Sequence, residues 1–376
     1  MHSWESITSR QRTSPSNSGD MTQTDQDDFI IGRDDLILVT GATGFIGLRV
    51  VQSLLDRGFR RIRCFTRPST QASKLAALCG TIDAPELQLL RGNLLSTDDC
   101  IAATKDAALV IHLAAGRGEK SFPDAFMNSV VTTRNLLNAC LLHRRLQRFV
   151  NVSSFTVYTN TRKPLGRLLD ETCPVEPHPE TRGEAYCYAK TKQDEIVTEY
   201  GKNRGIPYVI VRPGAVYGPG NLAITARVGI GTFGLFLHLG GSNPIPLTYV
   251  DNCAEAIVLA GLRQGIDGEV FNVVDDDLPS SRQFLRLYKR HVKRFPSLYV
   301  PKLVSYGLCD LWERYCNWSH GQLRSAFNRS RWHSFWKKTY YTNQKLKTRV
   351  GWKPRISTRE GLQSYFEACR AGEGNA

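Results

Sequence analysis

Ser154, Tyr186 and Lys190 are the residues of this chain whose types and spacing best suit chemistry. Tyr186 and Lys190 stand four residues apart in a stretch, Glu184 to Tyr200, that reads as a helix, so they share one face. A lysine ammonium beside a tyrosine favours the phenolate and lowers the phenol's pKa. Such a phenol can take a proton from a hydroxyl or give one to a carbonyl, while a serine such as Ser154 holds the same oxygen. Tyr188 and Lys192 repeat the spacing, so spacing alone does not choose between the two pairs.

That chemistry needs a hydride carrier, and the chain has a place for one. The stretch Val39-Thr40-Gly41-Ala42-Thr43-Gly44-Phe45-Ile46-Gly47 follows an apolar run, Leu36 to Val39, that reads as a buried parallel strand. It opens an amphipathic helix carrying Ile46, Val50, Val51, Leu54 and Leu55. Strand, glycine-rich turn and helix in that order form a dinucleotide-binding unit. Gly41 permits the tight turn, Gly44 lets the backbone approach a pyrophosphate, and Gly47 lets the helix sit close to the sheet. Thr43, Phe45 and Ile46 belong to the same cofactor loop. The helix N-terminus adds free N–H groups and a positive dipole end.

Further strands are expected at 62–67, 87–90, 109–113 and 148–152, with helices between them. This alternation predicts an α/β, Rossmann-like, doubly wound parallel sheet with a smaller C-terminal lobe. Ligands of such sheets lie at the carboxyl ends of the strands. Arg67 ends the second strand, where an NAD-preferring site places a carboxylate for the ribose hydroxyls. An arginine there would instead pair with a 2′-phosphate, which favours NADP over NAD. Asn93, with Leu94 after the third strand, either bonds the adenine edge or shapes the turn beside Gly92. Leu113, Ala114 and Ala115 let a cofactor lie against the end of the fourth strand. His112, inside that strand, reads as a core histidine. Ser153 and Ser154 close the fifth strand and point Ser154 at the cofactor site.

The composition sets limits. The chain has 376 residues and is 41% hydrophobic, enough for a large core. Its net charge of +14 suits an anionic ligand, nucleic acid or membrane surface without selecting one. Ten cysteines include no CxxC pair; a reducing, cytoplasmic setting and no metal site are expected. No stretch approaches the ~20 apolar residues of a membrane span. Residues 1–34 read as a tail with little to bury, disordered through about Asp28. The expected division is 35–220 plus 248–275 for the dinucleotide domain, and 221–247 plus 276–370 for a substrate lobe. Between Pro301 and Glu360 stand 13 Lys/Arg against 3 acids, with five of the six tryptophans. That mixture fits a solvated face, a peripheral contact with an anionic membrane, or a diphosphate pocket.

The motifs together resemble the extended short-chain dehydrogenase/reductase family, also called the NAD-dependent epimerase/dehydratase family. They are GATGFIG at 41–47, HLAA at 112–115, VSSFTVY at 152–158, YCYAK at 186–190, RPGAVYGPG at 212–220 and YVDN at 249–252. The family's small residue before the lysine and acid four beyond it match Ala189 and Asp194. The resemblance thus selects Tyr186/Lys190 over Tyr188/Lys192. It implies that Ser154 orients the substrate, Tyr186 is the acid/base, and Lys190 lowers its pKa and bonds the nicotinamide ribose. It also implies that Pro213 lies beside the nicotinamide. The asparagine that relatives carry in their long helix falls at Ser129, with Asn128 one residue early. Phe155 and Thr156 stand where sugar-nucleotide dehydratases carry Asp-Glu, which disfavours dehydration. Ile245 stands where nucleotide-sugar members usually place an arginine, which is similar to the 3β-hydroxysteroid dehydrogenase-like branch.

The resemblance implies an oxidoreductase acting on a secondary alcohol or ketone, including nucleotide-sugar epimerisation through a keto intermediate. The alternative substrate is a sterol-like or lipid alcohol. A reading from another class is a non-catalytic dinucleotide sensor or RNA-binding scaffold; no RNA-binding signature accompanies the basic surplus, and no nucleic-acid partner is expected. Relatives often form homodimers through helices corresponding to about 122–143 and 184–200, so a homodimer is expected here.

Overall fold

The computed structural model describes residues 29–69, 73, 75, 86–115, 121–161, 166–232, 234–319 and 327–373. The expected disorder of residues 1–28 lies outside them. Residues 29–34, counted with the tail, are structured: Ile31 is buried and Phe29 stacks on Phe59 at 6.5 Å. Ile30 and Ile31 pack against the sheet's core, and the Ile30 N–H donates to the Leu262 carbonyl at 2.9 Å.

The sheet grows from short apolar strands. β1 (Leu36–Thr40) is followed by α1 (Phe45–Asp56), β2 (Arg61–Thr66), β3 (Glu86–Arg91), α2 (Thr97–Thr104) and β4 (Ala107–His112). Next come α3 (Phe122–Ala125), a π-helical turn (Phe126–Val131), α4 (Thr132–His143) and β5 (Arg148–Val152). A three-residue strand β6 (Arg167–Leu169) precedes α5 (Ala185–Arg204) and β7 (Tyr208–Pro213). Five strands of the main sheet are thus in place, in the order β5-β4-β1-β2-β3, with β7 beside β5. All these neighbours pair in parallel. β1 and β4 are fully buried, as central strands covered on both faces must be.

The order reverses between β1 and β4. That switch point opens a crevice at the carboxyl ends of these strands, where doubly wound sheets bind ligands. Gly41 leaves β1 at φ 71°, a left-handed conformation that glycine adopts at little cost. A Cβ there would lie 2.9 Å from the Ala114 nitrogen, and one on Gly47 would lie 2.1 Å from the Gly41 carbonyl oxygen. Both glycines are therefore required by packing alone.

The remaining chain alternates between the sheet and a second lobe. β8 (Ala215–Tyr217), β9 (Gly229–Thr232), β10 (Leu235–His238) and β11 (Leu247–Tyr249) lead into α6 (Val250–Leu262) and β12 (Val270–Val273). β12 pairs with β7 and closes the seven-stranded sheet. Beyond it lie α7 (Ser281–His291), β13 (Ser297–Tyr299), α8 (Lys302–Trp318), α9 (Arg329–Phe335), β14 (Thr339–Tyr341), α10 (Gln344–Val350) and α11 (Thr358–Glu373). The second lobe has its own core, built on Tyr217, Ile245, Tyr249, Phe284, Tyr288 and Tyr365. Leu346, Val350 and Trp352 instead join the sheet's core, because the turn after α10 brings Trp352 Nε1 to the Asn252 carbonyl at 3.2 Å.

Candidate functional site

Ser154 and Tyr186 meet at the carboxyl end of β5. Ser154 begins a single 3-10 turn, and its Oγ accepts the Thr156 N–H at 3.3 Å. The same hydroxyl lies near the Tyr186 phenol and pulls its pKa down against the rise that burial causes. Tyr186 and Lys190 lie on the first turns of α5, with Lys190 buried beneath them. The other pair diverges: Lys192 reaches Glu195 at the surface at 2.7 Å, and Tyr188 packs edge-on to Phe122.

Lys190 is held rigidly. Its Nζ donates to the Val152 carbonyl at 2.7 Å and to Gln193 Oε1 at 2.9 Å. Burial drives its pKa down to about 8, a nearby Asp194 opposing the fall. The Tyr186 pKa is raised, chiefly by burial; the Ser154 hydroxyl opposes this and the Asp194 charge adds to it. The lysine spends two donors on Val152 and Gln193, and the Asp194 carboxylate offsets its charge.

A chain of buried side chains runs from Lys190 to the glycine turn. Gln193 Nε2 donates to Thr133 Oγ1 at 2.7 Å, and Thr133 Oγ1 donates to the Ser129 carbonyl at 2.6 Å. His112 bonds Thr133 Oγ1 through Nε2 at 2.9 Å and Thr40 Oγ1 through Nδ1 at 2.7 Å. Thr40 Oγ1 accepts the Ala114 N–H at 3.3 Å. The polarity follows by elimination. The one Thr133 proton goes to Ser129, so Thr133 must accept from His112, which therefore carries its proton on Nε2. Nδ1 then accepts from Thr40. Burial lowers the His112 pKa to about 3, with Lys190 adding to the fall, so the ring is neutral. The sequence expectation of a satisfied core histidine holds.

The π-helical turn belongs to this network. Ser129 sits in it, buried, and its carbonyl takes the Thr132 and Thr133 hydroxyls. Asn128 turns back to Asp124 at 3.0 Å. The extra residue of a π turn shifts register by one, which puts Ser129 rather than Asn128 on the inner face.

Asp194 anchors α5 to the sheet. It accepts from Asn151 Nδ2 at 2.8 Å and Ser153 Oγ at 2.9 Å, and pairs with Arg212 at 3.0 Å. Arg212 in turn covers the Tyr158 ring at 4.7 Å. Arg212 precedes Pro213, which is buried at the end of β7.

The cofactor candidates lie around the crevice. The N-terminus of α1 has no side-chain cap and no acid in its first turn, which suits a pyrophosphate. A Cβ on Gly44 would meet only the Gly41 oxygen, at 3.1 Å, so the space beside Gly44 is not filled by the protein. Thr43, Phe45 and Ile46 are only partly covered around it. Leu113, Ala114 and Ala115 are half-buried opposite Gly41. Arg67 is exposed just beyond β2. Asn93 Oδ1 accepts the Leu95 N–H at 3.0 Å, a turn contact, and Leu94 is buried. The residues present fit a dinucleotide, with Gly41, Gly44 and Gly47 at its phosphates and Lys190 offering its third N–H.

Sequence reasoning missed Gln193, Thr133 and Thr40 as parts of the site, and gave Thr156 no positive role. Thr156 Oγ1 is buried without a hydrogen-bond partner, two residues past Ser154. Gln193 lies three positions past Lys190 on its helix, which is the one local signal available.

Comparisons with known proteins agree with this architecture. The chain is 28% identical over 252 residues to a trifunctional UDP-glucose 4,6-dehydratase/UDP-4-keto-6-deoxy-D-glucose 3,5-epimerase/UDP-4-keto-L-rhamnose-reductase of Arabidopsis thaliana. That alignment covers 63% of this chain and 36% of the plant protein, so the chain spans about a third of that relative's length. It is 30% identical over 194 residues to a 3 beta-hydroxysteroid dehydrogenase/Delta 5→4-isomerase of Mycobacterium tuberculosis, covering 49% of this chain and 48% of that one. The UDP-glucuronic acid 4-epimerase of Bacillus cereus, solved in complex with NAD, superposes with a TM-score of 0.65 at 23% identity. That match covers 89% of this chain and 98% of that one and establishes a shared fold. The model of the NAD-dependent epimerase/dehydratase family matches residues 37–273, and the chain belongs to that family, an extended short-chain dehydrogenase/reductase.

Proposed function

We propose that this protein interconverts a secondary alcohol and a ketone with NADP as hydride carrier, and that its substrate is a nucleotide sugar epimerised through a keto intermediate. The observation that carries the reading is the placing of Ser154 and Tyr186 together with buried Lys190, whose Nζ donates to the Val152 carbonyl, at the carboxyl end of β5. The substrate oxygen would sit between the Ser154 and Tyr186 hydroxyls. Tyr186 would take its proton while Lys190 holds the nicotinamide ribose. The bound dinucleotide supplies the hydride acceptor. Arg67 favours NADP by its charge at the ribose end.

An anionic substrate is favoured by Arg227. This buried guanidinium bonds the Ser334 carbonyl at 3.0 Å and the Tyr341 hydroxyl at 3.3 Å, and has no carboxylate partner among the described residues. Tyr341 stacks on Phe155, next to Ser154, at 5.6 Å. A diphosphate there would supply the missing negative charge. Ile245 is buried in the second lobe's core, so its apolar character is a packing requirement and speaks less against a nucleotide sugar. Phe155 and Thr156 supply no acid pair, which argues against dehydration.

A second reading, a sterol-like or lipid alcohol, is favoured by the apolar cluster of Phe155, Val274 and Leu278 with Tyr341 beside Ser154. The test is reduced-nicotinamide absorbance with NADP or NAD, against UDP-, GDP- and dTDP-sugars and against hydroxysteroids. An altered sugar without net reduction supports the epimerase, whereas net reduction with a hydroxysteroid supports the second reading. Tyr186→Phe should abolish turnover and keep cofactor binding; unchanged turnover sinks both. A homodimer through the outer faces of α3–α4 and α5 accompanies either reading.

A further inference from the structure

α8 presents its apolar side to solvent. Leu303, Val304, Leu308, Leu311, Tyr315 and Trp318 are all exposed, Leu303 at 88%, Leu311 at 64% and Trp318 at 74%. At 100° per residue these six span about 140° of the helix circumference, and exposed Trp312 widens the arc to about 180°. Trp312, Tyr315 and Trp318 form a continuous aromatic row, with ring centroids 5.9 and 5.8 Å apart. The side facing the protein is a second packed face: Ser305, Cys309 and Cys316 are buried, Tyr306 packs edge-on to Trp332 at 5.1 Å, and Ser305 Oγ accepts from Trp332 Nε1 at 2.9 Å. Leu298 and Tyr299 of β13, which precedes α8 in the chain, are also exposed.

Burial of the opposite face is what an amphipathic helix normally shows. Here the exposed arc must be covered by something apolar. Its breadth separates two occupants. A helix of a second copy would need a narrow seam, whereas an interfacial helix immerses a wide face with Trp and Tyr at the headgroup level. Charge decides in the same direction. Residues 281–318 carry 8 Lys/Arg and 2 Asp/Glu. Both acids are neutralised: Asp310 pairs with Arg314 at 2.9 Å and Glu313 with Arg329 at 3.1 Å. No helix among the described residues is long and apolar enough to cross a membrane, so α8 would lie on the surface.

We propose that α8 docks this protein on an anionic lipid bilayer, lying in the headgroup plane with Leu303, Leu311 and Trp318 inserted. The docking face adjoins the substrate lobe. α9 packs on α8, and its Arg331 and Ser334 hold Glu184 at 3.2 Å and Arg182 at 2.8 Å, just ahead of Tyr186. This inference does not depend on the substrate reading.

The test is flotation of the full chain with vesicles of phosphatidylcholine containing 30% phosphatidylglycerol by preparation (about that fraction gives a strongly negative surface). The protein should float with these vesicles and bind pure phosphatidylcholine about tenfold more weakly. L311S/W318S changes only exposed side chains and should lower anionic-vesicle binding about tenfold or more, with cofactor binding unchanged. R294E should reduce the preference for anionic vesicles. Failure of the wild-type chain to float, or equal flotation of L311S/W318S, overturns the proposal. So does a wild-type dimer that ignores vesicles and becomes monomeric on L311S/W318S, which would assign the face to a second copy.

Discussion

Replacing Lys190 by methionine should change how stability depends on pH. The folded protein holds the Lys190 pKa at about 8, against an ordinary 10.5. A shift of that size corresponds to about 3 kcal/mol at ~1.4 kcal/mol per pKa unit. The sign follows from proton counting. Between pH 8 and 10.5 the unfolded chain binds the proton and the folded one does not, so stability rises with pH. Below pH 8 the folded state carries the full cost of a desolvated ammonium; above 10.5 that cost is gone. Lys190→Met has nothing to titrate. Its lost bonds to Val152 and Gln193 add a constant that does not vary with pH. The difference in unfolding free energy, variant minus wild type, should therefore fall by about 3 kcal/mol across this window. Urea denaturation at half-unit steps from pH 7 to 10.5 measures it, and groups that titrate in both proteins cancel. A difference that stays flat would show that Lys190 is not held as a desolvated cation, and would remove the basis for its placement in the site.

The remaining predictions probe the supports of the same site. Asp194→Ala leaves the Arg212 charge buried without its carboxylate, and chemical denaturation should show a loss of about 3–5 kcal/mol; Asp194→Asn should lose less. Gln193→Leu removes an acceptor from the Lys190 ammonium, a bond of about 1.5–3 kcal/mol. Dinucleotide affinity by titration calorimetry should fall about tenfold at pH 7.5 and more steeply at pH 8.5. Arg67→Asp places a carboxylate at the ribose end, and should weaken NADP relative to NAD by about a hundredfold in the same calorimetric assay.

Much of the fold was legible because it is encoded locally. β1, β4 and β5 are short apolar runs, and the glycine turn sits between a strand and a helix. Tyr186 and Lys190 share a helix, so their spacing was informative; Ser154 sits at a strand end, so its address was too. The C-terminal aromatics were not legible, because composition does not reveal facing. Trp332, Trp336 and Trp352 are buried while Trp312 and Trp318 are exposed, so the basic, aromatic stretch is two cores and one surface helix. Ile245 read as a specificity signal and is a core residue. Its position in the motif was visible, whereas its side chain's burial depends on Phe284 and Tyr365 from distant elements.

The least legible feature is the network from Thr40 to Lys190, since its members come from β1, β4, α4 and α5 and meet only after the sheet forms. Yet its consequence is specific. Every hydroxyl in it has one proton, and Thr133 commits its own to the Ser129 carbonyl. The hydrogen bonds can therefore point in only one arrangement. Protonation of His112 would force a second proton against Thr40, whose own proton would need a new acceptor. A pKa of about 3 keeps that state unpopulated near neutral pH. Lys190 is then held from a neutral scaffold that cannot exchange its proton with the ring. The same scaffold fixes Ala114 through Thr40, so the cofactor crevice and the lysine are set by one rigid unit. A substitution that breaks it at His112 should disturb dinucleotide binding and the Lys190 position together.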